Sequence, residues 1–140
     1  MAANDTAFPG GQLGETPSYE ILTAMYYAAT AIVLGAAVQL TVMTLNGQNI
    51  VAASAASGPG ANVVGIAASA ANIGQYVEVV HKGVCQGLAG ATALTAGENL
   101  SPVAAGYTLG AASVTLGDNC AVALQAIAAN TLGYVFVSNS

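Results

Sequence analysis

The chain has 140 residues, enough for one domain with or without an appended arm and no more. Only 5% of them are Asp, Glu, Lys or Arg, against roughly 25% in an ordinary soluble domain, so most of the surface is uncharged and suited to association. A single basic side chain, Lys82, against six acids excludes a nucleic-acid footprint, and two cysteines (Cys85 and Cys120) without a CxxC spacing make neither a disulfide scaffold nor a zinc site.

Residues 1–18 carry Pro9, Gly10, Gly11, Gly14 and Pro17 and few apolar anchors. They read as an extended arm outside the core, either a free tail or a segment that orders on a partner or a neighbouring copy. Phe8 and Leu13 in the arm, and Tyr19 just after it, are its candidate contact residues. Asp5, Glu15 and Glu20, with no Lys or Arg among them, give neither a signal-peptide nor a transit-peptide pattern. Residues 19–140 are expected to form one β domain.

The run from Ile21 to Leu45 holds no charge and is long enough for a membrane helix. Three features argue for strands instead. Thr23, Thr30, Gln39, Thr41 and Thr44 interrupt the run, and Ala supplies much of its apolar content. No Lys or Arg flanks it to set an orientation. Val38-Gln39-Leu40-Thr41-Val42 alternates with period two and leads into Asn46-Gly47, a strong hairpin signal. Tyr26-Tyr27, just beyond the arm, is a further candidate contact.

Short β-branched runs predict strands over residues 31–34, 38–45, 49–53, 63–67, 76–82, 100–103, 113–116, 120–125 and 134–138. Turns are expected at Asn46-Gly47, Gly58-Pro59-Gly60, Gly106 and Gly117-Asp118-Asn119. The Ala-rich stretches 67–71 and 126–129 lack a helical stripe and allow one-turn helices at most. The expected fold class is all-β.

The chain also repeats itself. Slid along itself without a gap until Val64 falls on Val122, it brings Ala68, Ala70, Ala71, Asn72, Tyr76, Val77 and Val79 onto Ala126, Ala128, Ala129, Asn130, Tyr134, Val135 and Val137. Upstream, Gly35 and Gly97 open corresponding segments. Two half-repeats, about 31–87 and 94–138, are expected to build one small barrel or sandwich, because neither alone buries enough surface.

No catalytic, metal or cofactor site emerges. His81, the lone histidine, has no nucleophile or acid suitably spaced and reads as an exposed residue at a strand end. Cys85 near it lacks an orienting third group, and both cysteines read as small, buried, reduced thiols. Glu78, Glu98 and Asp118 are too scattered for paired carboxylates or a calcium loop. The glycines fit turns, with no phosphate-binding pattern. Tyr76 and Tyr134, placed in register by the repeat, are expected to pack in the core or on a sheet face. The expectation is a protein that is not an enzyme.

The runs Asn62-Val63-Val64-Gly65-Ile66-Ala67, Gly74-Gln75-Tyr76-Val77-Glu78-Val79 and Gly83-Val84 resemble the small phage capsid decoration proteins, also called cement or head-stabilising proteins. So do the stretch from Leu94 through Gly97-Glu98-Asn99 to Pro102 and the closing Ala121-Val122-Ala123-Leu124-Gln125-Ala126 followed by Gly133-Tyr134-Val135. The resemblance spans residues 30–138. It implies a β-rich, non-enzymatic protein, made in the host cytoplasm and carried on the outer capsid surface of the virion. The implied partners are the major capsid protein and further copies of itself, a homotrimer, with no nucleic acid, membrane or cofactor. A second reading, a pilin-like or other surface-filament subunit, requires a hydrophobic helix over 21–45. A tail or baseplate component of a virion is a third.

Overall fold

The computed structural model describes residues 21–58, 62–103, 106–112 and 119–138. Among the described residues nine strands follow in order: β1 (Leu22–Ala28), β2 (Ala37–Leu45), β3 (Gln48–Ala55), β4 (Val63–Ala67), β5 (Tyr76–Leu88), β6 (Asn99–Pro102), β7 (Leu109–Ala111), β8 (Ala121–Ala123) and β9 (Leu132–Ser138). The fold is all-β. The uncharged run 21–45 forms β1, a loop and β2, which overturns the hydrophobic helix that the filament reading needs. No helix among the described residues is long and apolar enough to cross a membrane. The run 31–34, expected as a strand, is a loop held by one bridge between Ile32 and Ala71, and β1 lies upstream of it. The Ala-rich stretches 67–71 and 126–129 carry no helical turn. The expected strand 113–116 lies outside the described residues, as does the arm.

β2 and β3 form a hairpin whose turn residues Asn46 and Gly47 both have positive φ, 52° and 79°, the conformation that matches strand twist in a two-residue loop. The sheet then closes on itself. β1 pairs with β3 in parallel, β3 with β2, β2 with β4, β4 with β5, and β5 returns antiparallel to β1. The second half of β5 starts another ring, through β9, β8, β6 and β7, closed by a single parallel bridge from Ala89 to Leu109. The 13 residues of β5 thus serve two rings.

The two halves share the same order of strand pairings. Ala67 opposite Val79 recurs as Ala123 opposite Val135. Gly35 N–H donates to the Ala67 carbonyl, and Gly97 N–H to the Ala123 carbonyl, at 2.9 and 2.7 Å. Gly35 and Gly97 share a φ of +84°, a left-handed turn that favours glycine. The parallel pair Ala28 and Ala53 recurs as Ala89 and Leu109. In space Val79 therefore matches Val135, whereas the sequence repeat sets it on Val137. The difference is one strand period, so both alignments put the same faces inward. Tyr76 corresponds to Leu132, and Tyr134 to Glu78. Both tyrosines stand on the surface, 57% and 53% exposed, rather than in a core.

A five-stranded ring is narrow, which is why its interior is built from alanine and valine. Ala28, Ala36, Val38, Ala53, Ala67, Val77 and Val79 fill the first ring, with Ile32 and Ala71 from its loops. Leu100, Leu109, Ala121, Ala123, Val135 and Val137 fill the second. Neighbouring residues feed different cores: Ala37, Ile66 and Val80 point out of the first ring and pack into the second cluster. Gly65 lets β4 and β5 approach, since a Cβ there would sit 2.2 Å from the Val80 carbonyl oxygen.

Candidate functional site

The titratable groups are placed structurally. His81 is half-buried in the middle of β5, not exposed at a strand end. Its Nδ1 lies 2.9 Å from the Val64 carbonyl, which can only accept, so Nδ1–H is the donor there, and Nε2 meets Tyr26 Oη, also at 2.9 Å. The two rings meet edge to face, 5.7 Å apart. This clip ties β1 to β4 and β5. Apolar burial pushes the Cys85 thiol up to about 12, with Cys120 contributing, and burial pushes Cys120 up to about 11. Both stay neutral thiols and poor nucleophiles. Glu98 accepts from Thr95 N–H at 3.0 Å across the Gly97 turn. No cluster of three metal-ligating side chains occurs among the described residues. An open cavity of about 260 Å³ beside Ile32 and Ala71 is lined by small apolar residues with Asn72 and Gln75.

What the surface does present is apolar side chains. The structure separates Tyr26 from Tyr27. On β1, Tyr26 turns toward the first core while Tyr27 faces out and stacks on Tyr76 of β5, ring centroids 4.4 Å apart and planes 24° apart. Hydrogen bonding of the protonated Tyr76 hydroxyl to Tyr27 raises Tyr76 above its ordinary value. Met25 lies on the same outer face, 59% exposed. Phe8, Leu13 and Tyr19 lie outside the described residues.

A second apolar surface is the far end of the β2–β3 hairpin. β2 meets β4 only as far as Gln39, and β3 meets β1 only at Ala52 and Ala53. Residues 40–51 therefore project as a two-stranded ribbon, with Val42 and Val51 paired on one face, 64% and 57% exposed. In the second half the counterpart hairpin is four residues against three. Sequence reasoning singles out neither Tyr76 nor the ribbon as a contact. The alternation Val38–Val42 places the hairpin but not where its neighbours stop.

No family model matches the chain, and no curated protein matches it. Among solved structures it is similar to the head fiber gp8.5 N base of bacteriophage phi29, with a TM-score of 0.63. The fold resembles a phage head-fiber base. The match covers 86% of this chain and 97% of that one at 14% identity, so the likeness is one of fold.

Proposed function

We propose that this protein is a structural component of a phage virion, a cement protein on the outer surface of the head that holds major capsid subunits together. The observation that carries the reading is the fold shared with a head-fiber base across nearly the whole chain. The surface supports it: a nearly chargeless protein covers itself against a shell, or against copies of itself, at little desolvation cost. The work is mechanical and not enzymatic. It calls for no cofactor, and many modest contacts repeated by symmetry supply avidity. The partners are the major capsid protein and further copies of this chain in a homotrimer. Phe8, Leu13 and Tyr19 of the N-terminal region, together with the projecting ribbon, are the shell contacts.

Density-gradient fractionation of the native source, with quantitative mass spectrometry of the bands, tests the reading. The expected result is this chain in the particle band, in hundreds of copies tracking the major capsid protein. Its absence from particles, or a handful of copies tracking tail proteins, overturns it. Deleting residues 1–18 is expected to leave a folded body with weakened shell binding. Full-strength binding by the truncated protein would remove the arm from the mechanism.

A further inference from the structure

The two halves are built alike, but their surroundings differ. A row of side chains on the outer face of the first ring, Val80, Ile66 and Ala37, runs across β5, β4 and β2 and is 3%, 0% and 0% exposed because the second half covers it. The same row in the second half is Phe136, Val122 and Asn99, across β9, β8 and β6. There Phe136 and Val122 are half-open and Asn99 is exposed. The turn glycines repeat the contrast. A Cβ on Gly35 would meet Leu132 at 2.6 Å and Leu88 at 2.8 Å, whereas around Gly97, with the same φ, nothing lies within 4 Å. The second half therefore keeps open the face that the first half buries.

The complementary face is also open. Leu88 and Leu132, which cover Gly35, are a cross-strand pair in the second ring. Their counterparts in the first ring are Tyr27 and Tyr76, the stacked pair on its outer face. Tyr107, whose carbonyl accepts from Ala37 N–H at 2.9 Å across the two halves, corresponds to Val51, which is 57% exposed. Each molecule thus carries a second, unused copy of both sides of its own internal interface.

We infer that copies of this chain associate head to tail through a contact that repeats the one between its halves, the Gly97, Val122 and Phe136 face of one copy receiving the Tyr27, Tyr76 and Val51 face of the next. The occupant is a second copy because the open face has the shape and chemistry that this chain already matches internally. Stacked tyrosines with Met25 exposed on the same face are the anchors such interfaces favour. The contact is heterologous, so it propagates until the rotation closes it into a ring. It gives the self-association proposed above a surface, but does not depend on where on a virion the protein sits.

The test uses full-length protein and two substitutions at exposed positions, one for each face. Asn99→Arg puts bulk and charge where the counterpart, Ala37, is buried, and Tyr76→Lys removes half of the aromatic pair. By sedimentation velocity at micromolar concentration, wild type is expected to be oligomeric and each variant monomeric, with wild-type circular dichroism and affinity weakened at least tenfold. An equimolar mixture of the two variants is expected to form a heterodimer and nothing larger, because each retains the face the other lacks. Val122→Glu and Val51→Lys provide a second pair if either variant fails to fold. Monomeric wild type, variants that still self-associate, or a mixture that stays monomeric each overturns the contact. Monomeric protein that is nonetheless abundant in the particle band would sink this interface and leave the cement reading standing.

Discussion

At the scale of single residues, small side chains do the structural work. Gly65 is the clearest case, because a methyl group 2.2 Å from the Val80 carbonyl oxygen can be accommodated only by moving β4 away from β5. Gly65→Ala is expected to cost about 2–3 kcal/mol, lowering the melting temperature by roughly 10 °C in calorimetry. The thiols make a prediction about pH. In the fold, Cys85 and Cys120 are pushed up to about 12 and 11, against 9.0 for an ordinary thiol. The neutral form is favoured in the folded state, so their contribution to stability is intact below pH 9 and declines as pH rises through 9 toward 11, where only the unfolded chain ionises them. Melting temperature should be flat from about pH 7 to 8.5 and fall above 9. The fall should be shallower in a Cys85→Ala/Cys120→Ala double variant.

Among the elements, the far end of the β2–β3 ribbon is the one that can be removed without touching either core. Deleting residues 44–45 and 48–49 together leaves Met43 and Ile50 closing the same Asn46-Gly47 turn, with the alternation of hydrogen-bonded pairs and the facing unchanged. The shortened protein is expected to melt within a few degrees of wild type but to bind shells more weakly in a co-sedimentation assay. Equal binding would show that the ribbon is not a shell contact. The hairpin is legible in sequence because alternation and turn chemistry agree there. β1 is hidden: Leu22–Ala28 carries no alternating pattern, because Tyr27 and Met25 remain apolar on an outward face. β5 runs on to Leu88, past the Lys82 where its sequence pattern stops, because its second half contains Gly83 and Gly87. Gly87 is there for packing, since a Cβ would press on Leu109 and Val135. His81 is misplaced in sequence for the same reason, a strand end assigned where the strand continues. The repeat is legible in kind, but its register is one strand period off in β4 and β5, an error that period-two facing conceals. What sequence cannot show is which faces of the repeat are covered, and that decides the candidate contacts.

For the whole molecule, two rings with one strand between them predict a single cooperative unit. Neither half has a complete set of strands without β5, so chemical and thermal unfolding should each show one transition, coincident by circular dichroism and tyrosine fluorescence. Two resolved transitions would mean that the halves are independent. The shared strand has a mechanical consequence as well. In a stack of separate domains, a pull along the stack is resisted by a flexible linker and by side-chain contacts that peel one at a time. Here the element passing from ring to ring is itself a strand, paired on one edge to β1 and on the other to β4 and then β9. A load applied between the rings runs along a covalent backbone and puts its flanking hydrogen bonds in shear, where they yield together. A molecule built this way stays stiff until it fails as one piece.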